Sequence, residues 1–135
     1  LSGKAFLNVD FSGKDLNGAD FENCKFYHCT FDNASLVNCN LQNALFSNCS
    51  LYNVTAEETE LQNARFFSCN LAKAFFTHSN FKEAVLKSCQ TTSSRFMNCC
   101  IENIALEETD LPNDEMFNSE LDWIKNDIPD FEPNM

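Results

Sequence analysis

Large apolar side chains return at every fifth position through the first 110 residues. The series runs Phe6, Phe11, Leu16, Phe21, Phe26, Phe31, Leu36, Leu41, Phe46 and Leu51, and it continues in step to Leu106. Only Ala56 and Thr91 among these 21 positions are not large and apolar. Two residues ahead of most of them stands a small one, as at Val9, Ala19, Cys24, Cys29, Ala34 and Cys39, and seven of the eight cysteines fall in that register. Two residues after it the chain is polar, most often Asn, as at Asn23, Asn33, Asn38 and Asn43. A period of five matches neither the 3.6-residue helix nor the two-residue strand. Two inward positions separated by one outward residue describe a very short strand, and a corner must follow within each five. The pattern therefore predicts a chain that coils, with neighbouring coils paired as parallel strands.

Segments such as Ala19-Asp20-Phe21-Glu22-Asn23 and Ala34-Ser35-Leu36-Val37-Asn38 resemble the A-(D/N)-L-x-x unit of the pentapeptide-repeat family. The resemblance spans residues 4–110. It implies an all-β fold, a right-handed quadrilateral parallel β-helix with four pentapeptides per turn, hence five to six coils of 20 residues. Residues 20 apart then stack about 4.8 Å apart, which predicts a core ladder of Phe6, Phe26, Phe46 and Phe66 followed by Leu86 and Leu106. Cys29, Cys49, Cys69 and Cys89 form a second column. Parallel side chains at that spacing do not converge as a disulfide or a zinc site requires, so these thiols are expected to pack as small hydrophobes in a reducing, cytoplasmic setting. Cys100 follows Cys99 and is expected to point outward and to be the reactive thiol. Lys4 and Lys14 occupy inward registers, which predicts a frayed or differently packed first coil.

The repeat stops near Pro112, dividing the chain into a solenoid over 1–110 and a C-terminal cap over 111–135. Ser119-Glu120-Leu121-Asp122 reads as a capping box, predicting a short helix near 115–127. Phe117, Leu121, Trp123 and Ile124 would cover the last coil or meet a second copy, ahead of an acidic tail. The net charge of −11 is unevenly placed: residues 1–100 hold 9 acids and 8 bases, whereas 101–135 hold 11 acids and only Lys125. No basic footprint for nucleic acid is present, and no apolar run approaches the roughly 18 residues of a membrane span.

Catalysis needs convergent groups in a concavity. His28 and His78 are 50 residues apart, two and a half coils, and fall on opposite faces. Glu57-Glu58 and Glu107-Glu108 read as solvated surface. No nucleophile set, phosphate loop, metal-ligand set or cofactor motif appears, so no catalytic, metal or cofactor residue is assigned. One outward face instead shows Leu7, Tyr27, Leu45, Phe67 and Val85, and a second shows Val37, Phe75, Met97 and Phe117. The face of Glu22, Gln42, Gln62, Lys82 and Glu102 is hydrophilic throughout. Apolar patches on an otherwise wet surface mark interfaces. The expectation is a protein-interaction module that binds a protein partner or itself as a dimer.

Two further implications come from the resemblance. Segments of this family occur in secreted bacterial effectors, so the chain could be one region of a longer protein exported without a signal peptide. Other members mimic DNA and protect type II topoisomerases in quinolone resistance. That reading needs negative charge spread along the rod, and here it gathers at one end. A spacer between two domains is the remaining alternative.

Overall fold

The computed structural model describes residues 1–110, which form a parallel β-solenoid of five coils and half of a sixth. The expected cap helix near 115–127, with Phe117, Leu121, Trp123, Ile124 and the acidic tail, falls outside the described residues.

Nine three-residue strands are present among the described residues. One side of the rod is a six-stranded sheet: β1 (Ala5–Leu7), β2 (Lys25–Tyr27), β3 (Leu45–Ser47), β5 (Arg65–Phe67), β7 (Val85–Lys87) and β9 (Ala105–Glu107). The opposite side holds β4 (Thr55–Glu57), β6 (Phe75–Thr77) and β8 (Arg95–Met97). Every pairing is parallel with a register of 20, as in Phe26↔Phe46 and Phe76↔Phe96. The other two sides are joined by bridges at the same offset, such as Thr30↔Ser50 and Asn40↔Glu60. The 20-residue coil inferred from like residues stacking on like is thus the register of the backbone itself.

Corners explain the polar fifth position. Every fifth residue from Gly3 to Glu108 has a positive φ, between 49° and 77°. That left-handed conformation costs an ordinary L-residue energy and is easiest for Gly and Asn. Where the corner is a turn, the N–H of the fourth residue bonds the C=O of the first, as in Cys24 to Phe21 at 3.0 Å and Ala44 to Leu41 at 3.1 Å. Positive φ at the third residue is what a type II turn requires. Lys73, Glu58 and Glu83 occupy this conformation without glycine's freedom or asparagine's tolerance of it.

Phe rings fill the interior as a continuous stack. Phe6 lies on Phe26 at 5.1 Å, Phe26 on Phe46 at 4.9 Å, and Phe46 on Phe66 at 4.7 Å with 2° between planes. Phe26, Phe46 and Phe66 are fully buried, while Phe6 in coil one is half-buried. Ala56, one exception to the large-apolar series, is also fully buried and pairs with Phe76 on the next coil. Of the two expectations for the first coil, fraying is corrected and different packing describes it: Phe6, Val9, Phe11, Leu16 and Ala19 are only partly buried. Coil one is wound in the common register (Ala5↔Lys25, Asp10↔Thr30, Asp15↔Ser35), and only the Lys4 and Lys14 side chains leave the core for solvent. The backbone ladder with coil two is enough to hold it, and Gly3, Gly13 and Gly18 relieve three of its corners.

Candidate interaction face

The small-residue register serves two purposes. After turn corners it is most often Ala, and the N–H of the residue there closes the turn. After strand corners from Cys29 onward it carries a donor. Cys49, Cys69 and Cys89 each place Sγ 3.3 Å from the carbonyl of Phe26, Phe46 and Phe66 on the preceding coil. On the opposite side Thr59 Oγ1 donates to the Leu36 carbonyl at 2.5 Å, and Cys39 and Cys99 donate in the same way to Leu16 and Phe76. The side chain also accepts: the Thr59 N–H reaches Ser79 Oγ at 3.1 Å and the Cys89 N–H reaches Thr109 Oγ1 at 3.0 Å. These residues therefore satisfy buried backbone groups that no turn closes.

Burial pushes the Cys29 and Cys39 thiols up from their ordinary value. Cys69 is also pushed up, by its hydrogen bonds to Cys49 and then Cys89, with burial adding to them. Cys49 and Cys89 are pushed down, each by its hydrogen bond to Cys69. All eight cysteines are free, and among the described residues no group of three or more Cys, His, Asp or Glu is arranged to hold a metal ion. Cys100 is half-exposed. His28 follows β2 and His78 follows β6, so the two imidazoles stand on opposite sheets. A shallow groove over the cysteine column is lined by His28, Asn48, Ser68 and Ser88 on one flank and Thr30, Ser50 and Asn70 on the other. It contains no acid–base pair.

The six-stranded sheet carries the distinctive surface. Its outward residues form two columns flanking the buried Phe ladder. One column reads Ala5, Lys25, Leu45, Arg65, Val85, Ala105; the other reads Leu7, Tyr27, Ser47, Phe67, Lys87, Glu107. Leu7, Tyr27, Leu45, Phe67 and Val85 thus fall on one sheet, one per coil. From Tyr27 to Val85 they alternate between the columns. The complementary positions hold Lys25, Ser47, Arg65 and Lys87. The surface is a chequerboard of apolar and basic groups. Leu7 is 65% exposed, and Tyr27, Leu45, Phe67 and Val85 are half-buried against their neighbours.

The three bases escaped the sequence reading, which followed hydrophobic exceptions only. Reading positions 5 and 7 at a spacing of 20 would have found them. The face holds three bases and one acid, against five bases and twelve acids over the rest of residues 1–110. Among the described residues the one ion pair is Lys82–Glu102 at 3.7 Å, on the hydrophilic side, so Lys25, Arg65 and Lys87 are unpaired there. On the opposite sheet Phe75 is 38% exposed with the Arg95 guanidinium 5.6 Å from its ring centre, and Met97 pairs with Thr77. Val37 lies on that side, while Phe117 falls outside the described residues. No helix among the described residues is long and apolar enough to cross a membrane.

A family model for pentapeptide repeats, eight copies, matches residues 6–43, 31–66 and 59–103. No curated protein matches the sequence. Among solved structures, a pentapeptide repeat protein (Rfr23) of the cyanobacterium Cyanothece 51142 is 20% identical. The match covers 83% of this chain and 87% of that one, with a TM-score of 0.49. A pentapeptide repeat protein of the Arabidopsis thaliana thylakoid lumen is 23% identical over 76% and 70%, with a TM-score of 0.36. QnrB1, a plasmid-mediated fluoroquinolone resistance protein, is 24% identical over 90% and 74%, with a TM-score of 0.44.

Proposed function

We propose that this chain, which belongs to the pentapeptide-repeat family, is a non-enzymatic protein-interaction module whose docking surface is the six-stranded sheet. The observation that carries this is the face itself. Leu7, Tyr27, Leu45, Phe67 and Val85 recur on consecutive coils beside three bases that are unpaired among the described residues, where a merely solvated face would be polar. Aromatic residues and Arg are the side chains most enriched at binding hot spots, and a rigid backbone ladder limits the entropy lost on docking. Among the described residues the interior is filled and the outer groove is shallow and lacks an acid–base pair, which supports the non-enzymatic reading. Phosphate mimicry needs negative charge along the rod, and the charge on this face has the opposite sign.

The test is retention of partners from bacterial and eukaryotic lysates, read by mass spectrometry, on the native protein and on Tyr27→Asp/Phe67→Asp. The reading expects a specific partner that the double variant loses while keeping its β-rich circular dichroism. A partner held equally by both forms removes this face as the docking surface, and capture of a type II topoisomerase would favour DNA mimicry. Capture of nothing by either form would leave a spacer.

A further inference from the structure

Given that docking surface, its dimensions and charge point to the kind of element that fits it. We infer that the six-stranded face takes an acidic amphipathic helix of a partner protein, lying along the solenoid axis.

The apolar residues supply one side chain per coil from Leu7 in coil one to Val85 in coil five. The stacked rings inside set the coil spacing at 4.7–5.1 Å. Four steps of about 4.8 Å span roughly 19 Å. An α-helix presents one apolar side chain per turn of about 5.4 Å, so it drifts by only about 2.4 Å over that length, within side-chain reach. An extended strand repeats its same-face side chains every 6.7 Å or so. It would drift by about 7.6 Å, more than one whole coil. The helix keeps register and the strand does not.

Width agrees with length. The two outward columns are two residues apart along a strand, about 6.6 Å, and a helix of about 10–12 Å diameter covers both. A helix of about 13 residues covers the length. Its apolar stripe would follow the zigzag of Tyr27, Leu45, Phe67 and Val85. Its flanks would meet Lys25 and Arg65 on one side and Lys87 on the other. None of these three bases is paired among the described residues, and carboxylates at the flanking helix positions would pair with them. A lipid surface fits less well, because Tyr27, Leu45, Phe67 and Val85 are half-buried and only Leu7 projects.

The experiment uses the full chain and a synthetic 18-residue helical peptide with Leu at every third or fourth position and Glu beside it. The same peptide with Lys for Glu and a scrambled acidic peptide serve as controls. Binding is followed by fluorescence anisotropy at low salt, with phosphatidylserine vesicles as a separate arm. The acidic helix should bind, and both controls at least about ten-fold more weakly. Lys25→Glu/Arg65→Glu/Lys87→Glu should reverse the preference, and rising salt should weaken the charge-dependent part. Equal binding of acidic and basic helices, binding of the scrambled peptide, or uptake by vesicles instead would overturn the inference. If no peptide binds while Tyr27→Asp/Phe67→Asp still abolishes capture of a natural partner, the helix inference alone fails. If that capture is also unaffected, the docking surface falls with it.

Discussion

Truncating Phe46 and Phe6 to Ala separates the contribution of burial from that of ring contacts. Phe46 contacts Phe26, Phe31 and Phe66, with centroids at 4.9, 5.7 and 4.7 Å. Phe6 also contacts three rings, Phe11, Phe21 and Phe26, at 5.6, 6.3 and 5.1 Å. The number of aromatic partners is therefore equal, and the difference lies in solvent. Phe46 is fully buried between two coils, whereas Phe6 in coil one is half-buried. A buried Phe→Ala change costs about 3–5 kcal/mol because the cavity cannot collapse. A half-buried ring loses about half of that, since water already reaches one side and none of the missing contacts existed. The expected difference is about 2 kcal/mol. With a urea slope near 2 kcal/mol/M, that separates the two midpoints by about 1 M. Urea titration followed by far-ultraviolet circular dichroism reads it directly. Equal midpoints for Phe46→Ala and Phe6→Ala would mean that coil one is as well packed as the middle, against the burial difference.

Three other outcomes follow from the corners and the donor register. Lys73→Asn, Glu58→Asn and Glu83→Asn should each stabilise by about 0.5–1 kcal/mol in thermal or urea melts, by replacing a strained left-handed residue with a tolerant one; unchanged or lower midpoints in all three would count against strain at these corners. Thr59→Val should cost about 1–3 kcal/mol by leaving the Leu36 carbonyl without its donor, and Thr59→Cys should recover most of that, as Cys39 and Cys99 do in the same column. Equal losses for Val and Cys would show that shape, not the hydrogen bond, matters there. The raised thiols at Cys29 and Cys39 favour the protonated form in the fold, so their contribution is complete below the ordinary value of 9.0 and is lost as pH climbs past it. Urea midpoints should fall above pH 9, less so in Cys29→Ala/Cys39→Ala, and an identical pH profile in that variant would argue against the assignment.

The five-residue period, the 20-residue coil and the inward columns were legible in the chain. A solenoid repeats each local environment, so neighbours in space recur at a fixed distance in sequence. The placement of Phe26, Phe46 and Phe66 above one another needed no more than counting. Other features were decided by the tertiary structure. Lys4 and Lys14 break the apolar pattern locally, yet the ladder from coil two holds the first coil in register. Cys, Thr and Ser look interchangeable with Ala as small residues until the strand corners leave carbonyls that only a donor can satisfy. Lys25, Arg65 and Lys87 look like isolated charges along the chain. They become one surface with Tyr27 and Phe67 because coiling lays residues from different coils side by side in two columns. Sequence period determines what is buried, whereas the surface depends on which outward residues adjoin across coils, and that adjacency exists only once the backbone has wound.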